Sequence, residues 1–160
     1  MDNSKEYISI LIESLKKKKH ILKDIRVANE EQKSIATNEP FDDEAFERNI
    51  EEKEGLIKAL TSLDRGFDSV YSRVSETLKN NREAYKDEIM ELKELVSEVT
   101  GLSMDIQAEE ARNKELLLNC FSGLHRKISA NKTSNQVASS YYQTMANLNY
   151  VEPQFMDKKK

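Results

Sequence analysis

Residues 46–78 read FERNIEEKEGLIKALTSLDRGFDSVYSRVSETL. Within them Phe46, Ile50, Lys53, Ile57, Leu60, Asp64, Phe67, Tyr71, Val74 and Leu78 follow one another at alternating spacings of four and three, and eight of these ten positions are apolar. A repeat averaging 3.5 residues lays one apolar stripe along a helix and makes that helix supercoil against its neighbours. The stretch therefore predicts a helix of a bundle or coiled coil, with Lys53 and Asp64 as the two charged positions in its seam.

The rest of the chain is consistent with that class. Its 160 residues suit one domain with a shared core. Charged residues make up 34 %, whereas only four Gly and two Pro occur, so long helices with solvated outer faces are expected rather than a turn-rich β fold. A net charge of −4 argues against a nucleic-acid binder. Residues 1–38, 39–119 and 120–160 carry net charges of +2, −10 and +4, so the ends are basic and the middle acidic. A single cysteine, Cys120, excludes an intramolecular disulfide and fits a reducing compartment, where it reads as a small hydrophobe on a helix face. No apolar h-region and no run of about 20 apolar residues is present, which predicts a soluble cytoplasmic protein without stable membrane insertion.

Upstream of the seam, Ile8, Leu11, Ile12, Leu15, Leu22 and Ile25 share one face of a first helix expected over about residues 3–37, with Ile21, Ile35 and Ala36 at its margins. Lys16 to Lys19 interrupt that face. They read either as a solvated helix surface, the commoner case, or as a basic patch for a membrane. Pro40 disfavours helix at Glu39 and ends the first helix. Asp42 is placed to cap the second, expected over 43–79, with Asp43 and Glu44 suited to its positive end. Phe41 and Phe46 occupy the two positions of a hydrophobic staple. So short a link favours an antiparallel return.

A softer break falls at residues 79–82, where Asn80 and Glu83 have the spacing of a capping box. Beyond it Tyr85, Ile89, Leu92, Val96, Val99, Leu102 and Ile106 form a third stripe, resumed by Leu117, Cys120, Leu124 and Ile128 after a polar interval at Glu109, Glu110 and Asn113. The third helix is expected over 82–130, and Gly101 is a place where it can kink. The expected fold is all-α: an elongated antiparallel three-helix bundle over residues 1–130, followed by a flexible tail over 131–160. The third helix is the longest and overhangs its partners around residues 118–131, with the polar interval marking where three-helix packing thins. The competing topology fuses the second and third helices into one rod that dimerises to cover its seam.

In the tail, Val137, Tyr141, Met145 and Leu148 recur every three or four residues, with Tyr142 beside them. They read either as anchors awaiting a partner or as a short amphipathic helix folding back on the bundle. Catalytic chemistry has little support. His20 and His125 are far apart and neither follows a Glu by three residues, and neither a phosphate loop nor a nucleophile in triad context occurs. No cofactor or metal is expected, and Asp/Glu residues read as outward charges pairing at i,i+4, as in Glu54 with Lys58.

The segments Glu54–Phe67 (EGLIKALTSLDRGF) and Ile106–Leu117 (IQAEEARNKELL), together with the aromatic ending, resemble flagellar type III export chaperones of the FlgN family. The chaperone family of the filament-cap protein, FliT, is similar in size and helical make-up and is the second resemblance. The first implies a cytosolic all-helical chaperone that holds hook–filament junction subunits and delivers them to the export apparatus. Client binding is then expected at the end of the third helix and in the tail, through Leu116, Leu117, Cys120, Phe121, Leu124, Ile128, Tyr141, Tyr142, Met145 and Leu148. Such a chaperone is expected to be a monomer or weak dimer. The rival expectation is a self-associating coiled-coil scaffold without a client.

Overall fold

The computed structural model describes residues 3–123. They form three helices, α1 (Ser4–Thr37), α2 (Asp43–Asn80) and α3 (Lys86–Gly123), and no strand occurs among the described residues. α2 begins as its sequence predicts. The Asp42 side chain accepts a hydrogen bond from the Ala45 backbone N–H at 3.1 Å, and the Phe41 and Phe46 rings meet at 5.6 Å. Cap and staple together set the angle at which α2 turns back along α1.

The second break exists, but its chemistry differs from the expected capping box. Asn80 is still helical; Asn81 ends α2, and both its backbone N–H and its side-chain amide donate to the Thr77 carbonyl at 2.9 Å. Turns at residues 81–85 follow, and α3 starts at Lys86 rather than at residue 82. An Asn side chain satisfies an orphan carbonyl at a helix C-terminus as readily as an N–H at an N-terminus, so the spacing alone did not assign it. Because α2 and α3 are separated, the fused rod is not formed. α3 runs straight through Gly101 as helix.

α1 is the central element, its backbone close to both α2 and α3, whereas α2 and α3 reach each other mainly through side chains. Pairs such as Tyr7 with Arg73 and Lys18 with Asp64 make α1 and α2 antiparallel. Lys16 with Glu91, Lys19 with Glu98 and Arg26 with Asp105 make α1 and α3 run the same way. The four-lysine run is neither a merely solvated face nor a free basic patch. Lys18 reaches Asp64 at 2.8 Å and Lys19 reaches Glu98 at 2.8 Å, so consecutive lysines join α1 to two different helices. The expected local pair Glu54–Lys58 is absent from the ion pairs formed. Apolar burial divides into two clusters. One joins the start of α1 to the end of α2 and the start of α3 (Ile8, Leu11, Leu15, Phe67, Val74, Leu78, Leu92, Val96). The other joins the opposite ends (Leu22, Ile25, Ile35, Phe46, Ile50, Ile57, Ile106, Leu117, Phe121).

Candidate functional site

The end of the bundle where α3 finishes is built on three phenylalanines. Phe121 stands edge-on to Phe41 at 5.5 Å and to Phe46 at 5.8 Å, and with Phe41 on Phe46 the three rings close a triangle between α3, α2 and the α1–α2 link. Tilted and edge-on contacts at these distances add to the burial each ring contributes. Leu117 is 2 % and Phe121 9 % exposed, so both belong to the core. The bundle therefore continues through residue 121, and an overhang starting at 118 is not what forms. Leu116 is half-buried against the same cluster. Cys120 is half-buried, and its thiol is pushed up from its ordinary range by burial and by the carboxylates of Glu39 and Asp43. It stays a protonated small hydrophobe and a poor nucleophile. Leu118, which the sequence reading passed over, is 55 % exposed on the outer side of the same turns. Leu124, Ile128, Tyr141, Tyr142, Met145 and Leu148 lie outside the described residues.

Next to the aromatic triangle is a buried polar layer contributed by all three helices. Lys53, fully buried in the α2 seam, donates to Glu110 at 3.0 Å and to the Gln32 side-chain oxygen at 3.2 Å. Gln32 donates to Asn49 Oδ1 at 3.0 Å, and Asn49 donates to the Ala28 carbonyl at 2.9 Å. Asn113 donates to the Asn29 carbonyl at 2.9 Å and to Gln32 Oε1 at 3.1 Å. The polar interval on α3 is therefore where packing is tightest in hydrogen bonds, not where it thins. A buried Glu or Asn is costly only without a partner, and here each has one on another helix. Burial pulls the Lys53 ammonium down to about 8, against the opposing pull of Glu110. Outside this layer, Arg26 donates to Glu109 at 2.8 Å while Asn29 donates to the other Glu109 oxygen at 3.0 Å. The Glu109 carboxylate raises the Arg26 guanidinium further.

Sequence reasoning saw Lys53 only as a flaw in an apolar repeat. The available signal was that Lys53, Gln32 and Asn113 each occupy a position their own helix periodicity assigns to the core. Among the described residues, no group of three or more His, Cys, Asp or Glu is placed to hold a metal ion, and no helix is long and apolar enough to cross a membrane. What the arrangement offers is a rigid helical end, fixed in register by hydrogen bonds, presenting half-exposed apolar side chains at Leu116, Leu118 and Cys120.

No curated protein and no solved structure matches the chain. A family model described as FlgN protein matches residues 1–149, taking in all three helices and the sequence that follows them. With nearly its whole length matched in this way, the chain belongs to the FlgN family of flagellar export chaperones.

Proposed function

We propose that this protein is a cytoplasmic chaperone that binds hook–filament junction subunits before their export and delivers them to the type III export apparatus. The observation that carries this reading is the family match over residues 1–149, which includes the rigid end of α3 and the aromatic-bearing segment after it. Leu116 and Cys120, with Leu124, Ile128, Tyr141, Tyr142, Met145 and Leu148, take up an apolar client helix. Leu117 and Phe121 contribute by anchoring the end of α3 to Phe41 and Phe46. Each Leu or Tyr that becomes fully covered contributes roughly 1.5–3 kcal/mol, enough for a few anchors to outweigh the cost of association.

Sedimentation of the purified chain, alone and with a junction subunit, tests the proposal. A chain that becomes a 1:1 complex, weakened at least tenfold by Leu124→Glu with Ile128→Glu, supports it. A tight constitutive oligomer that ignores the subunit overturns it in favour of a scaffold.

A further inference from the structure

α3 carries two regular edges, one residue out of phase. Glu91, Glu98, Asp105 and Arg112 recur every seven residues, and each reaches a charged partner on α1. The residues just before them, Met90, Ser97, Met104 and Ala111, followed by Leu118, occupy the edge turned about 100° away. That edge faces the α2 side and is uncovered: Met90, Met104 and Leu118 are 62 %, 63 % and 55 % exposed. Between residues 97 and 111 its exposed neighbours Gly101, Gln107 and Ala108 are uncharged as well. In a chain that is one-third charged, a long uncharged edge with regularly placed methionines is an unpartnered face. It borders the wide α2–α3 side of the bundle, where backbones stand apart.

The opposite wall supplies a sign. On α2 the flank away from α1 carries Glu47, Glu51 and Glu54 over its first turns, and none of the three has an ion-pair partner among the described residues. These turns lie beside the end of α3, as the Phe46–Phe121 contact shows. The chain that leaves α3 there is complementary. Residues 124–136 hold Arg126, Lys127 and Lys132 and no acid, and residues 137–148 hold no charge at all, with Val137, Tyr141, Met145 and Leu148 at helical spacing.

We propose that the chain's own C-terminal segment is the fourth layer of this bundle: residues 124–136 pass the acidic flank of α2, and residues 137–148 lie as a helix on the Met104–Leu118 edge of α3. The dimensions agree. A helix over 137–148 is about 18 Å long, and the edge from Met104 to Leu118 is about 21 Å. The thirteen or so residues before it span up to about 45 Å, ample for the reversal. Opposite charges near the exit of α3 select this face, and apolar contact holds the helix on it. A client that uses Tyr141, Tyr142, Met145 and Leu148 must then displace this segment, and its apparent affinity falls by the fraction of chains in which the segment is docked.

Paramagnetic broadening in the full-length chain without client tests docking separately from the client reading. With Cys120→Ser and Met104→Cys, a nitroxide at residue 104 is expected to remove more than half the signal of residues 137–148. A label at Val27→Cys, on α1 and 71 % exposed, is expected to leave them intact. Glu47→Lys, Glu51→Lys and Glu54→Lys together, or salt raised to about 0.5 M, are expected to relieve at least part of the broadening. Equal effects from both labels, or none from residue 104, overturn the proposal. Broadening carried equally from a labelled to an unlabelled copy overturns it in favour of a dimer through this face.

Discussion

Around Leu11, Val74 and Leu92 the three helices meet through hydrocarbon alone, whereas around Gln32, Lys53 and Asn113 they meet through a hydrogen-bonded layer that spans all three. Both ends are equally dry, since Leu11, Val74, Lys53 and Asn113 are each 0 % exposed. They differ in what they specify. Leucine and valine accept many registers with little loss, so an apolar layer stabilises helix association without fixing alignment. Lys53 has Glu110 within reach in one alignment only, and a shift of one turn leaves a buried charge unpaired. The end nearest the client-binding candidates is thus the end whose geometry is fixed.

The largest effect separating the two ends comes from breaking the buried pair on one side. Glu110→Leu leaves the Lys53 ammonium buried without its carboxylate, and urea denaturation is expected to show a loss of about 3–5 kcal/mol. Replacing both, Lys53→Leu with Glu110→Leu, restores stability to the original level or above it, with broader side-chain resonances around Gln32 and Asn113. If the double variant is as destabilised as the single one, the layer is a source of stability and the contrast between the two ends fails.

A truncation in the apolar end gives the reference. Leu11→Ala removes a fully buried side chain from the lower cluster, and a loss of about 2–4 kcal/mol is expected, with no change in register and no effect of ionic strength. Sharing the salt dependence of Glu110→Leu would show that the clusters are not separate.

Which of these features could be read from sequence follows from how far each signal extends along the chain. The seam, the Asp42 cap and the Phe41–Phe46 staple are local, decided by residues a turn or two apart, and they form as expected. Lys53 with Glu110, Lys19 with Glu98 and Asn113 with Asn29 join residues 57, 79 and 84 positions apart. Their alignment depends on where α2 ends, and Asn81 rather than Asn80 closes that helix. Without it, Glu110 and Asn113 read as a gap in a stripe and the lysine run as a solvated face. At the candidate site, Phe121 and Leu117 were found as apolar but taken for exposed, because the link that carries Phe41 back over them is visible only in three dimensions.

The polar layer also has a pH signature that the apolar end lacks. Lys53 is held at about 8 in the fold by burial, while an unfolded lysine titrates near about 10.4. The unfolded chain therefore binds the extra proton between these values, and stability attributable to Lys53 rises with pH across that window. It is complete above the unfolded value and lost as pH falls through about 8. Subtracting the profile of Lys53→Leu with Glu110→Leu from that of the parent removes the tyrosine contribution. A flat difference between pH 8 and 10.5 would mean that water reaches the ammonium.

The smallest effect tests whether fixing alignment extends to the surface. Lys18 and Lys19 are neighbours that pair with different helices at the same 2.8 Å, but the Lys18–Asp64 side chains are 12 % and 20 % exposed and those of Lys19–Glu98 are 31 % and 45 %. Asp64 is the second charged position in the α2 seam, so the Lys18 pair is the shielded counterpart of Lys53–Glu110, while the Lys19 pair is open to counterions. Double-mutant cycles to alanine are expected to give about 0.2–1 kcal/mol for Lys19–Glu98, falling towards zero in about 1 M salt, where the Debye length is about 3 Å. Lys18–Asp64 is expected to couple more strongly and to keep most of that coupling in salt, because solvent reaches less of it. Equal coupling and equal screening would mean that only the fully buried layer fixes the register of α1 on its neighbours.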